Sequence, residues 1–316
     1  MGLILRMNLT QAQQEMLSQL RTRYEDREAA TITDWVMEKI TGWKKLDRII
    51  HKNMPLATEG MQLFRQYTQE LLNHRPVQYV LQEAWFAGLK FYVDESVLIP
   101  RPETEELVEW VVEEAEAFRR QPGLSSGDHR ESATIHFGHP GSDNAGSYSI
   151  LDVGTGSGCI AIALKHQLPA ASIHACDLSE AALSVAKRNA LSNHADIQFH
   201  QLDFLDSKTW PTLPSIQILV SNPPYIPIQE KAGMAPHVVG FEPHMALFVP
   251  DQDPLLFYRT LAQFAGEKLL PGGQLFAEIH EDLAAGVVGQ FESTGFQSVV
   301  LKKDMQGKDR MVKATR

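Results

Sequence analysis

Cysteine is nearly missing from this 316-residue chain, with Cys159 and Cys176 the only two. Both fall in stretches expected to be core, so no disulfide framework is implied and a reducing compartment fits best. Long apolar runs are missing too. No stretch reaches the roughly 18 residues that a membrane-spanning helix needs. The opening Met1–Arg6 is too short for a secretion signal, and position 6 is Arg, not the Ser or Thr of an acylation motif. These absences predict a cytoplasmic protein with no membrane contact. Positive charge is in deficit: 29 Lys and Arg stand against 39 Asp and Glu, a net of −10. That balance argues against direct nucleic-acid binding. Residues 1–80 carry 11 basic and 9 acidic side chains, the remainder 18 and 30. A mildly basic front on an acidic body suits docking of an acidic protein, although so small an excess is also ordinary variation. No internal repeat and no Ser-His-Asp set occurs. His129, His136 and His139 share one stretch, but their spacing is loose and no Cys accompanies them, so no metal is expected.

What the chain does have is Ser221-Asn222-Pro223-Pro224-Tyr225, closing an apolar strand Ile216–Val220. An Asn side chain offers one carbonyl acceptor and a pair of amide donors. Pro223 and Pro224 have fixed φ and no N–H, so the turn is stiff and its carbonyls are free to accept. Tyr225 adds a flat ring. The set suits gripping a planar –NH₂ by both hydrogens while its nitrogen faces a reagent. Standing alone, the same run reads equally well as a proline turn that ends a strand.

It does not stand alone. An apolar strand at Ile150–Val153 runs into Gly154-Thr155-Gly156-Ser157-Gly158, and a helix follows from Ile160. Glycines let backbone approach a ligand closely and accept positive φ. This spacing is neither the G-x-G-x-x-G of dinucleotide folds nor a phosphate loop, which ends in Lys-Ser/Thr. A second strand, Ser172–Cys176, ends at Asp177, a carboxylate able to accept both hydroxyls of a ribose. A third, Ile197–His200, leads to Phe204, where a purine could stack. Loop, acid, aromatic and Asn-Pro-Pro-Tyr each fall at a strand's carboxyl end, the ligand edge of a parallel sheet.

That ordered set resembles the class I S-adenosylmethionine-dependent methyltransferases. The stretch Val97–Val108, containing Arg101-Pro102-Glu103-Thr104-Glu105, narrows the resemblance to the HemK-type glutamine methyltransferases of peptide chain release factors. His74–Tyr79, Glu242-Pro243, Leu269–Gly273, Glu278-Ile279 and Gly307–Arg310 match as well, so that the resemblance runs over about residues 70–314. It implies S-adenosylmethionine as cofactor, held by Gly154–Gly158, Asp177, Phe204 and Asn222. It also implies class I release factors as partners, the target being the glutamine of their Gly-Gly-Gln loop. Asn222, Pro223 and Tyr225 would carry catalysis, with Pro224 lining the substrate. Two positions depart from the family pattern: His280 stands where Gly is usual, and Phe204 where Trp is frequent. Two other readings differ in class. An adenine-N6 DNA or RNA methyltransferase uses the same turn on a flipped base, but acidic charge and the Arg101–Glu105 run oppose it. A binding module that merely kept the fold is disfavoured because each residue the chemistry needs is present.

The expected fold is α/β: a seven-stranded, mostly parallel, doubly wound sheet, its last strand antiparallel by family analogy, preceded by a helical bundle. Residues 1–76 read as the bundle and as a substrate-docking domain. Its helices are expected from Thr10 to Tyr24, over Thr33–Ile40 with Trp35 on the apolar stripe, over Leu46–His51, and over Thr58–Leu72. Residues 77–100 read as a hairpin linker and 101–316 as the catalytic domain. Within that domain, 121–149 is Gly- and Ser-rich and reads as a flexible insertion. Acids at Glu103, Glu105 and Glu106 suit either a helix N-terminus or the neighbourhood of the cofactor that the resemblance implies. Ile226–Pro254 lacks periodicity, as a substrate-facing loop would.

Overall fold

The computed structural model describes residues 7–119 and 148–316. The insertion expected over 121–149 and its three histidines lie outside them, apart from Tyr148 and Ser149. The chain divides into two units: Met1–Glu83 with Met234–Phe241, and Ala84–Gly233 with Glu242–Arg316.

The first unit is helical. Helix α1 (Leu9–Leu20) starts at Asn8, not Thr10. Asn8 Oδ1 accepts the Gln11 N–H at 2.9 Å, and Gln11 Oε1 accepts the Asn8 N–H at 3.0 Å. This reciprocal cap satisfies two orphan donors. Helix α2 (Asp26–Thr41) stops at Gly42 in left-handed conformation. On the short α3 (Lys45–Ile50), Arg48 is buried and donates to Asp34 and to the Trp43 carbonyl. Helix α4 (Thr58–Leu72) turns Met61, Phe64, Thr68 and Leu71 inward, a three-and-four spacing that makes one face. They pack with Met16, Leu20, Val36 and Met37. Trp35 is 48% exposed, because Val36 and Met37 take the inward positions of α2. Helix α5 (Val77–Leu81) follows Pro76, which stands at its N-cap. The stretch 77–100 is therefore not all hairpin.

In the second unit the hairpin is confined to β1 (Ala84–Phe86) and β2 (Leu89–Phe91). Helix α6 (Pro102–Arg119) has Glu103 and Glu105 in its first turn, favourable at a helix N-terminus. The sheet then grows by alternation of strand and helix. Its elements are β3 (Ser149–Val153), α7 (Cys159–Gln167), β4 (Ser172–Asp177), α8 (Glu180–Ser192), β5 (Gln198–Gln201) and β6 (Ile216–Ser221). After β6 the stretch expected as an irregular loop is structured. It contains β7 (Ile226–Pro227), a 3₁₀ turn at Ile228–Gly233, α9 (Pro236–Phe241, counted with the first unit), α10 (His244–Leu247) and β8 (Phe248–Val249), with β7 and β8 paired in parallel. The chain closes with α11 (Leu256–Lys268), β9 (Leu269–Glu278), α12 (Ala284–Ser293), β10 (Ser298–Lys303) and β11 (Asp309–Thr315).

Strand order is β10-β11-β9-β6-β3-β4-β5, with β11 antiparallel to both neighbours and β3, β4, β5, β6 and β9 mutually parallel. This is the expected seven-stranded, mostly parallel sheet with an antiparallel last strand. Apolar clusters cover both faces, one containing α6 and α7 residues and the other α11 and α12 residues. The chain reverses direction of travel across the sheet at β3, and such switch points hold ligands at the strands' carboxyl ends. Among the described residues no helix is long and apolar enough to cross a membrane.

Candidate active site

Sheet register assembles the site. Val153 of β3 pairs with Cys176 of β4 on one side and Ser221 of β6 on the other, and Ser221 pairs with Ala277 of β9. One residue beyond this rung lie Asp177, Gly154, Asn222 and Glu278. Four polar or glycine positions thus share a ledge because four parallel strands end in register. Ser221 Oγ donates to the Val153 carbonyl at 2.8 Å, which ties the start of the Asn-Pro-Pro-Tyr turn to the start of the glycine loop.

The glycine loop is anchored on the strand beside it. Gly154 and Thr155 N–H groups donate to the Cys176 carbonyl at 2.9 and 3.0 Å. Asp177 accepts the Gly156 N–H on Oδ2 and the Ser179 N–H on Oδ1, both at 2.9 Å. Each carboxylate oxygen keeps a further lone pair for a hydroxyl. Asn189 on α8 donates to the Ser157 and Tyr92 carbonyls and accepts the Tyr92 N–H, clamping the loop from behind. Gly154 and Gly156 have φ of +71° and +54°, and a Cβ on either would point into open space. That combination leaves room above the loop which only glycine keeps open.

Asp152 sits fully buried beneath the loop. Thr155 Oγ1 donates to its Oδ2 at 2.6 Å. Burial, with the Asp177 charge adding to it, pushes the Asp152 carboxyl up to about 7, against the pull of the Thr155 hydroxyl and the Ala161 N–H. A folded value above the unfolded carboxylate's about 3.9 means that folding takes up a proton. The Asp152 contribution to stability is therefore fullest below about pH 4 and is lost as pH rises through about 7, by an order of about 4 kcal/mol. Denaturant melts at about pH 5 and about pH 8 check this. The fall should flatten in Asp152→Asn, and an equal fall in that variant would place its origin elsewhere. Burial also raises the Cys159 thiol to about 12 and the Cys176 thiol further. Neither is a nucleophile at neutral pH.

At the other end of the ledge, Asn222 is half-buried and its Nδ2 donates to Thr104 Oγ1 at 3.0 Å. Thr104, in the first turn of α6, donates to Glu278 Oε2 at 2.6 Å, and the Tyr225 hydroxyl donates to Glu278 Oε1 at 2.9 Å. Glu278 is 1% exposed. Burial raises its carboxyl, opposed by the Thr104 and Tyr225 hydroxyls and the positive Arg310. Tyr225 is held well above its ordinary value by burial and by Glu278, so it remains a donor. Its ring meets the edge of His280, 6.0 Å between centroids at 71°. His280 Nε2 lies 3.2 Å from Glu230 Oε2, and its Nδ1 accepts the Asp282 N–H. The departure at 280 therefore braces Tyr225 against the 3₁₀ turn that follows β7. Arg101 pairs with buried Glu242 at 2.6 Å, and Glu242 also accepts the Ile99 N–H.

Of the residues singled out in the sequence, Gly154–Gly158, Asp177 and Asn222–Tyr225 meet on this edge. Phe204 differs. Its ring packs with Trp210 and Phe264, at 5.9 and 5.1 Å between centroids, and is only 6% exposed. It belongs to the core and does not offer the open face expected for a purine. Exposed apolar side chains next to the two strand-end positions are Leu178, after Asp177, and Leu205, after Phe204, 51% and 39% exposed. Thr104 and Glu278 were visible only as members of matching runs, with no signal that they join the Asn-Pro-Pro-Tyr turn.

Residues 11–81 match the family model described as the PrmC N-terminal domain, and residues 118–238 match the methyltransferase small domain. A release factor glutamine methyltransferase of Flavobacterium psychrophilum is 36% identical over 299 residues, covering 95% of this chain and 96% of its own. That of Chlorobaculum tepidum is 38% identical over 274 residues, covering 86% and 85%. The solved protein-(glutamine-N5) methyltransferase (release factor-specific) of Alicyclobacillus acidocaldarius is 27% identical, covers 72% of this chain and 99% of its own, and has a TM-score of 0.39.

Proposed function

Because this chain belongs to the release factor glutamine methyltransferase family, whose enzymes use S-adenosylmethionine, we propose that it methylates the glutamine amide nitrogen in the Gly-Gly-Gln motif of class I peptide chain release factors. The observation that carries the reading is the shared rung, which puts the Asn222 turn and the glycine loop side by side. The residues present fit the cofactor. Open space over Gly154 and Gly156 admits a ligand against the backbone, and Asp177 keeps lone pairs for ribose hydroxyls. Thr155, Ser157 and Gly158 complete the loop, and Leu178 and Leu205 would take the purine contact in place of Phe204. When bound, the cofactor supplies a methyl group on a positive sulfonium, already a strong electrophile.

The chain's own work is positioning. A glutamine nitrogen is a poor nucleophile because its lone pair is delocalised into the carbonyl. The Asn222 side-chain oxygen and the Pro223 carbonyl would each accept one of its N–H groups, turning negative potential toward the charge that develops on nitrogen. Pro224 would wall the slot, and Tyr225, fixed by Glu278 and His280, would lie against the amide. The nitrogen loses one proton after alkylation, when its acidity has risen steeply, so no dedicated base is required. Glu278 is not free for that duty, since Thr104 and Tyr225 occupy both its oxygens.

We further infer that the helical residues 1–76 dock the release factor, a cytoplasmic partner, and leave methyl transfer to 101–316. Lys45 and Lys52 are exposed on that region. Reversing both to Glu should raise KM for full-length release factor severalfold at unchanged kcat, at about 0.2–1 kcal/mol per exposed charge. An unchanged KM would remove those lysines from docking. The central reading is tested by supplying methyl-labelled cofactor with purified release factor in one reaction and duplex DNA in another. Label should enter the protein alone; label in DNA adenine would favour the nucleic-acid reading instead.

A further inference from the structure

Asparagine's two amide ends are nearly the same size and opposite in character. One accepts hydrogen bonds and the other only donates. If Asn222 is to receive a substrate N–H, its oxygen must face the substrate. Reversed, it would present two N–H groups to the glutamine's own, and the grip would become a repulsion. Something must hold the orientation, since the turn's prolines fix backbone and not the side-chain torsion.

The hydroxyl of Thr104 can do so by valence alone. It has one hydrogen and two lone pairs. Its hydrogen goes to Glu278 Oε2 at 2.6 Å, so only lone pairs remain to face Asn222, 3.0 Å away. An NH₂ satisfies that contact and a carbonyl oxygen does not. Glu278, in turn, stands as the acceptor at the head of this chain of bonds. Its other oxygen takes the Tyr225 hydroxyl at 2.9 Å, while its backbone carbonyl takes the Tyr258 hydroxyl at 3.1 Å. The hydroxyls of Thr104 and Tyr225 both point at the carboxylate, with the Arg310 charge favouring its ionised form and Glu103 opposing it. Polarity therefore propagates in one direction: carboxylate, hydroxyl, amide nitrogen.

We propose that Thr104 and Glu278 are positioning residues that set which end of the Asn222 amide faces the substrate. Resting on the methyl-transfer reading above, this explains why a first-turn threonine of α6 and a strand-end glutamate of β9, 174 residues apart, are joined to one another under the turn. Glu278 does a second task with the same charge, since the oxygen it gives to Tyr225 fixes the ring that flanks the amide slot. Both groups that touch the substrate are thus aligned from one buried carboxylate, and neither positioning residue meets the substrate itself.

The test uses full-length enzyme and full-length release factor, with wild type as the reference. Failure of wild type to methylate the factor would reject the underlying reading; the variants address the relay. Thr104→Val keeps the shape and removes the hydroxyl. It should lower kcat about tenfold, the loss of one hydrogen bond's preference for one amide orientation. KM for the factor and calorimetric Kd for S-adenosylmethionine should stay within about threefold, because neither contact is made by Thr104. Thr104→Ser, which restores the hydroxyl, should recover most of kcat. Glu278→Gln puts an NH₂ into the relay, lets Thr104 donate to Asn222, and should lower kcat about 10²-fold. In the Thr104→Val background Glu278→Gln should cost clearly less, since the path to Asn222 is already cut. A wild-type kcat in Thr104→Val would overturn the proposal. So would Thr104→Ser as impaired as Thr104→Val, or fully additive effects of the two changes, since packing alone would produce those.

Discussion

Asn222→Ala is expected to lower the rate of methyl transfer to release factor by about 10²–10³, the effect of deleting one preorganised polar contact at a reacting centre. The change removes the acceptor that meets the glutamine N–H and leaves that N–H unpaired in a half-buried slot. It also frees Thr104, which loses its contact at 3.0 Å. S-adenosylmethionine affinity should change little, because the glycine loop and Asp177 are held by other bonds. Single-turnover rates at saturating substrate, beside calorimetry with the cofactor, separate the two quantities. Asn222→Asp is a sharper variant than its near-identity of shape implies. It keeps an acceptor for the substrate but turns a second carboxylate onto Thr104, whose one hydrogen already serves Glu278. Its activity should fall to about a tenth of wild type or less. Wild-type turnover by Asn222→Ala would remove the residue from catalysis.

Gly156→Val should abolish measurable cofactor binding at ordinary concentrations, raising Kd by about 100-fold or more. Two effects combine. The backbone there has φ of +54°, which costs an L side chain about 1–2 kcal/mol. The added branch would also fill the open space over the loop that the ligand is proposed to occupy. Asp177→Ala should be milder, about 1.5–3 kcal/mol for lost hydrogen bonds to a charged acceptor. Part of that loss is indirect, because Asp177 also holds the Gly156 N–H at 2.9 Å. Calorimetry with S-adenosylmethionine alone measures both variants without any protein substrate. An unchanged Kd in Gly156→Val would place the cofactor elsewhere on the sheet.

Local chemistry made much of this architecture legible before any coordinates. The strand, glycine loop and helix around residues 150–164 follow from apolar runs broken by residues that permit positive φ. The Asn-Pro-Pro-Tyr turn carries its stiffness in its own composition. Legibility fails wherever a residue's partner is distant in the chain. Thr104 meets Glu278 across 174 residues and Asn222 across 118, and no periodicity encodes such contacts. Phe204 shows the same limit, because a single aromatic after a strand reads alike whether it faces ligand or core, and the packing of its ring on Trp210 and Phe264 is not written in the sequence around it. Trp35 erred for a related reason, since α2 has apolar residues at three successive positions and only packing selects which two turn in. The cap of α1 had two candidates in the sequence. Gln11 stands three residues after Asn8, the spacing of a reciprocal cap, but Gln13 stands equally three after Thr10, so spacing alone did not choose and the bonds at Asn8 decide it. The stretch 226–254 folds into short pieces held by bonds between residues far apart in sequence, β7 to β8 within it and Glu242 to Arg101 and Ile99 outside it.

The most direct measurement of the central claim is to locate the methyl group. Purified class I release factor, incubated with this enzyme and S-adenosylmethionine, would be digested and the peptide bearing Gly-Gly-Gln fragmented by mass spectrometry. The account predicts one added methyl, on the side-chain amide of that glutamine, and none when the glutamine is replaced by alanine. A methyl group on any other residue, or an unmodified peptide beside methylated adenine in a nucleic-acid control, would contradict it.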